Sequence, residues 1–470
     1  VINRSGEYVF SNAVFNAGIK FGDGNYIVKR QKGYTSTATA ITCAGNITFT
    51  GKGELDLTGP MTVNNLIVSN GTFAVTGSAE LDTTNTLVTV NGNFLVDGGA
   101  VTIDTFSSEG TVYGIFLASK NMTAEIRSGS FAAEVGGAKS SALRVNKGSS
   151  ATAITGGELT AKLYGESSRF IDVDGTLAVT GSPSIRITDD SAVESSGISL
   201  FAAANPAANL RAIKAAKAVT IEGGSISVSV TGDGSEAISS ESSIAISGGT
   251  VDLLAGDDCL SAQGNIDISG GKVYANSTGN DAIDANGNIT INGGLVLAYT
   301  TATEADDNGS YGLDVNNTEA TPHTITVNGG TLVALSGPGA TYAEPEGTQT
   351  VICTNNITAV SEFSNKYITL TGTEESVTYT TTIRLPAIDT DDFSMLLSVP
   401  GLVQDAEVAF SDTAPETGAI NFHDVYRNEV VPPAAEGPVA EDPNVVWNSD
   451  GGMFVYENFG RAVKLTVNYE

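Results

Sequence analysis

Short apolar and polar positions alternate along most of this chain, and the alternation recurs in blocks. The pairs Ile244/Ile246, Ile266/Ile268, Ile289/Ile291 and Ile325/Val327 each bracket a single residue. So do Val251/Leu253, Val273/Ala275, Val296/Ala298 and Leu332/Ala334. A period of two puts both members of a pair on one face of a strand. Ile238, Leu260, Ile283 and Leu313 form a third series, ahead of the other two in each block. Each block therefore predicts three short strands with their aliphatic residues on a common side.

A glycine pair separates the second and third strands: "ITGGELTA" at Gly156, "IEGGSISV" at Gly223, "ISGGTVDL" at Gly248, "ISGGKVYA" at Gly270, "INGGLVLA" at Gly293 and "VNGGTLVA" at Gly329. Successive first glycines are 67, 25, 22, 23 and 36 residues apart. The longest step holds a degenerate copy, "LAVTGSPSI" at Gly181, and others are read at Gly51, Gly77, Gly98 and Gly129. Outsized steps are read as loops inserted at a corner. One turn of three strands cannot close a core, but stacked turns bury a continuous aliphatic column. The pattern predicts an all-β fold, a right-handed parallel β-helix with three strands per coil. A propeller would need four-stranded blades of about forty residues.

The expected organisation is a capping segment over 1–40, rich in aromatics, the β-helix over 41–337, closing β coils over 338–415, and a Pro-rich acidic linker with a C-terminal β segment over 416–470. Composition agrees: 54 glycines and 13 prolines suit many turns. The net charge of −30 excludes a nucleic-acid partner, since phosphates would go unneutralised, and no apolar run is long enough for a membrane span. The three cysteines, Cys43, Cys259 and Cys353, have no metal spacing and read as small buried hydrophobes. The chain begins at Val1, and the expectation is a monomeric mature segment, extracellular or on the cell surface, with any secretion signal or lipid anchor preceding the numbering.

The corner before the first strand carries acids. Asp258 and Asp281 are one repeat apart, as are Asp257 and Asn280, and Asp284 follows Asp281 by three residues. Stacked coils lie about 4.8 Å apart, so these oxygens would meet between rungs. Carboxylates so placed repel one another unless a cation compensates, and Ca2+ takes six to eight oxygen ligands. Asp257, Asp258, Asn280, Asp281 and Asp284 are therefore candidate calcium ligands. Asp306, Asp307 and Asp314, in the insertion "EADDNGSYGLD", are candidates for a second site. The structural alternative is that Asp and Asn merely cap turn amides. Arg144, Asp172, Lys214, Ser239, Ser261, Asp284 and Asp314 fall in one outward column, which reads as a solvated face. Tyr274, Tyr299 and Tyr311 read as covering residues.

The run "GDD…GNIDISGGKVYANSTGNDAIDANGNITINGG", with "ITVNGGTLVALSGP", resembles a bacterial family of carbohydrate-binding β-helix proteins related to polysaccharide lyase family nine, over roughly residues 210–410. The resemblance implies a calcium held by Asn280, Asp281 and Asp284 with Asp257 or Asp258, Asn280 replacing an aspartate of the lyase pattern. It also implies a lysine base a coil or two after the metal, yet no Lys or Arg occurs between Val273 and Asn365. The resulting expectation is calcium-dependent binding of a polysaccharide, an acidic or plant cell-wall glycan, without catalysis. The alternatives are a lyase with an unusual or degenerate active site, and a structural or adhesive β-helix with no glycan ligand.

Overall fold

In the computed structural model, the described residues are 1–80, 82–106, 110–189, 206–302, 310–316, 322–374, 377–403 and 409–413, with short strands at 420–421, 457–458 and 461–462. Asp306, Asp307 and Trp447 lie outside them.

The chain winds as a parallel β-helix. A twelve-stranded sheet forms the first ladder, from Ile19–Phe21 to Leu313–Val315, every neighbouring pair parallel. The second and third ladders belong to one larger sheet, because strands such as Ile244–Ala255 run through the corner between them. The predicted columns are in register. Ile238 pairs with Leu260, Leu260 with Ile283, and Ile283 with Leu313. Ile244, Ile266, Ile289 and Ile325 stack in the second ladder. Val251, Val273, Val296 and Leu332 stack in the third. The first-ladder aliphatics are fully buried, and each contributes about 1.5–3 kcal/mol by leaving water.

Both residues of the glycine corner are needed, for different reasons. Gly271 sits at φ +79°, where a Cβ is strained. Gly270 has ordinary φ, but a Cβ there would lie 2.4 Å from the carbonyl oxygen of Ser247 on the coil below. The copy read at Gly77 is misplaced: Gly77 ends a third-ladder strand, and the corner of that coil is at Gly71, φ +67°. Glycine spacing alone could not separate the two, since they are only six residues apart.

The ladders start earlier than residue 41. Gly6–Phe10 is parallel to Asn25–Arg30, and Val14–Phe15 to Thr35–Ala38. Residues 1–40 are thus coils themselves, and their aromatics fill the end of the stack, with Phe21 and Tyr26 rings 4.8 Å apart. At the other end, the segment expected as further coils reverses direction. Phe393–Ser398 pairs antiparallel with the last coil strand Thr331–Ser336, and Ile352–Ile357 pairs antiparallel with it in turn. No glycine pair is available there to turn the chain back into a coil, and Phe393–Ser398 is buried along its whole length. A hairpin, Tyr367–Glu374 with Val377–Arg384, completes this region. It covers the outer face of the last rungs of the third ladder, burying Tyr274, Leu297 and Tyr299 beside Ile368 and Leu370. Tyr274 and Tyr299 are therefore covering residues, and the Tyr299 hydroxyl donates to the Ala387 carbonyl at 2.7 Å.

Candidate functional site

The outward column of the first ladder collects the chemistry, and it is not the freely solvated face expected: Asp172, Ser239 and Ser261 are each only 8% exposed. The column is in register throughout: Arg144, Asp172, Lys214, Ser239, Ser261, Asp284, Asp314. Beside it, at the corner preceding each strand, the aligned runs "GSEAIS", "GDDCLS" and "GNDAID" place Glu236, Asp258 and Asp281 at equivalent positions.

Asp258 and Asp281 do stack on adjacent rungs. The Asp281 N–H donates to Asp258 Oδ1 at 3.3 Å, and the Tyr311 N–H donates to Asp281 Oδ1 at 2.6 Å. Each carboxylate thus caps a backbone amide of the next coil, so the structural role weighed for these acids operates. It uses only one oxygen's worth of acceptor capacity per side chain.

The carboxylates gather into two triads. Carboxylate oxygens of Glu236, Asp257 and Asp258 lie within 4.8 Å of one another, and so do those of Asp281, Asp284 and Asp314. Either spacing is one that a single divalent ion could span. Asp314, expected in a second site with Asp306 and Asp307, joins Asp281 and Asp284. The Asn280 side chain donates its Nδ2–H to Asp258 Oδ1 at 3.1 Å and so holds that acid in place. Glu236 is the residue that sequence reasoning missed. It stands 22 residues before Asp258, but a glutamate breaks the Asp/Asn pattern of the corner, so the aspartate repeat does not point to it.

The two triads differ in their neutralisation. Glu236 is paired to Arg211, Nε to Oε2 at 2.8 Å. The coils before it are similarly compensated: Arg144 meets Asp172 and Asp174, Arg169 meets Asp172, and Lys214 meets Glu241. Among the described residues, no lysine or arginine pairs with Asp281, Asp284 or Asp314.

The electrostatic consequence is large. Burial, followed by repulsion from Asp257, Asp284, Asp281 and Glu236, pushes Asp258 up to about 9. Burial raises Asp281 to about 8 even though the Tyr311 amide favours its anion. Burial and the neighbouring Asp314 bring Asp284 to about 7, and burial raises Asp314 as well. Glu236 is also raised by burial, with Arg211 opposing. Buried acids with no counter-charge keep their protons near neutral pH, and a cation arriving between them would take the protons' place.

Residues 114–337 match the model of a family described as carbohydrate-binding domain-containing protein, a span just under half the chain that contains every residue of both triads. No curated protein and no solved structure matches the chain.

Proposed function

We propose that the chain is a calcium-dependent polysaccharide-binding β-helix, secreted or displayed at the cell surface as a monomer, which binds an acidic or plant cell-wall glycan and does not cleave it. The observation that carries this reading is the Asp281/Asp284/Asp314 triad: three raised carboxyl groups with no lysine or arginine partner among the described residues, on the outward side of the first ladder and inside the segment that matches a carbohydrate-binding family. An ion held there would leave part of its coordination sphere open to solvent, where a uronate carboxylate or sugar hydroxyls could complete it. Without the ion, the protonated triad offers a uronate carboxylate no cation to bind, so binding follows calcium.

A non-catalytic role is supported by the surroundings of the triad. Abstraction of the proton α to a uronate carboxylate needs a base within hydrogen-bond reach. Lys214, the lysine of the outward column, stands three rungs from Asp284, about 14 Å at normal strand spacing, and is paired to Glu241 at 2.8 Å.

The test is a titration of oligogalacturonate and of neutral cell-wall oligosaccharides in calcium and in chelator. Binding of the acidic ligand in calcium alone, with no unsaturated product absorbing in the ultraviolet, is expected. Equal signals in both conditions would overturn calcium dependence, and release of unsaturated product would identify a lyase.

A further inference from the structure

The outer face of the second ladder, on a different side of the coil from the carboxylates, carries a groove of about 520 Å3 across the N-terminal coils. Its floor is the outward column Ile27, Thr48, Ile67 and Leu95, paired rung to rung. Ile27 is 41% exposed, and Ile67 and Leu95 are half-buried. An outward position normally carries a polar residue, so this aliphatic strip is out of pattern.

One wall is a row of asparagines. The Asn46 amide donates to Asn25 Oδ1 and the Asn65 amide to Asn46 Oδ1, both at 2.7 Å. Asn65 Oδ1 accepts the Asn93 N–H at 2.6 Å, and Asn93 Oδ1 accepts the Thr123 N–H at 2.9 Å. This bonding uses one N–H of each NH2 group at Asn46 and Asn65, so a second remains on each rung. At the far end, Glu125 and Arg127 neutralise each other through contacts of 2.6 and 2.8 Å. The groove therefore presents an apolar floor, a ladder of amide donors and carbonyls at the rung spacing, and no spare charge.

We propose that this groove is a second binding site, for a linear uncharged oligosaccharide. The C–H faces of its rings would lie on Ile27, Ile67 and Leu95, and its hydroxyls would meet the asparagine row. The chemistry disfavours other occupants. An anionic ligand would find no unpaired cation among the lining residues, a divalent ion would find no carboxylate cluster, and an apolar helix would bury the asparagine amides without partners. Four rungs, from Asn25 to Thr123, give a track of about 19 Å. Most of the groove lies before residue 114, outside the family match, with Thr123, Glu125 and Arg127 inside it. It uses neither triad, so it does not depend on the calcium reading.

The test is calorimetric titration of the intact chain, in chelator, with cellohexaose, xylohexaose and mannohexaose. At least one should bind. Ile67→Arg, which puts a long charged side chain on the floor, should weaken that binding about tenfold or more. Asp281→Asn, on the other face, should leave it unchanged. Leu95→Thr keeps a strand-forming residue and should weaken binding with the unfolding midpoint preserved, which separates lost contact from lost fold. The proposal is overturned if none of the three sugars binds in chelator, or if binding survives both Ile67→Arg and Leu95→Thr. It is equally overturned if binding needs calcium and disappears in Asp281→Asn, since the ligand would then belong to the acidic face.

Discussion

Asp281→Asn should have opposite effects with and without calcium. Asp281 is only 6% exposed, and its ordinary value of 3.8 is pushed up to about 8. Near neutral pH the folded chain therefore holds a proton there that the unfolded chain has released. At about 1.4 kcal/mol per pH unit, that proton uptake costs folding about 2–4 kcal/mol, part of it shared with Asp284 and Asp314 through their mutual repulsion. Asparagine is neutral and keeps an oxygen for the Tyr311 N–H, so the substitution removes the cost and retains the amide cap. In chelator near pH 7, the variant should be more stable than wild type by about 1–3 kcal/mol, measured as a shift in denaturant midpoint at constant slope. In calcium the order should reverse, because wild type gains binding energy that the variant loses with one of three charges. A variant that is less stable than wild type in chelator would refute the reasoning, since the carboxylate would then be stabilising by itself.

The pH dependence has a definite sign. Asp258, Asp281 and Asp284 have folded-state values above their unfolded ones, so the folded chain binds more protons, and calcium-free stability should fall as pH rises from about 4 to about 9; denaturation at a series of pH values checks this, and added calcium should flatten the decline. Glu236→Gln should lower calcium affinity less than Asp314→Asn does, because Glu236 is already committed to Arg211; calorimetry with calcium chloride compares the two. Gly271→Ala should destabilise the fold by at least about 1–2 kcal/mol, from its positive φ and a Cβ contact of 2.8 Å with the backbone of Gly248, seen as a lower denaturant midpoint. Ile283→Ala should cost about 2–5 kcal/mol by opening a cavity in the fully buried column, with the calcium stoichiometry unchanged in calorimetry.

Much of this architecture was legible because a coil repeats its own instructions. Ile238, Leu260, Ile283 and Leu313 could be aligned from the sequence, and the register follows once the glycine corner is fixed. The outward column from Arg144 to Asp314 emerged from the same alignment. What escaped depends on directions that spacing does not encode. Oxygens of Asp258 group with Glu236 and Asp257 and those of Asp281 with Asp284 and Asp314, so the acids of the corner fall into two neighbouring triads. Asn280 kept its place but offers a donor. The reversal of Phe393–Ser398 is illegible for a different reason: the alternation of Phe393, Met395 and Leu397 with Ser394 and Ser398 reads equally well in a parallel or an antiparallel strand.

Coil length varies widely here, yet pairing does not. Ile238 to Leu260 takes 22 residues, whereas Ile171 to Ile213 takes 42, and both partners still face each other. The extra residues fall in the sequence between the strands Ser184–Thr188 and Arg211–Ala215, and lengthening a connection adds little entropy cost. The scaffold and its decoration can consequently diverge at separate rates. New loops can be grafted beside a carboxylate without moving it, and the acids themselves can be exchanged rung by rung without reshaping the spine.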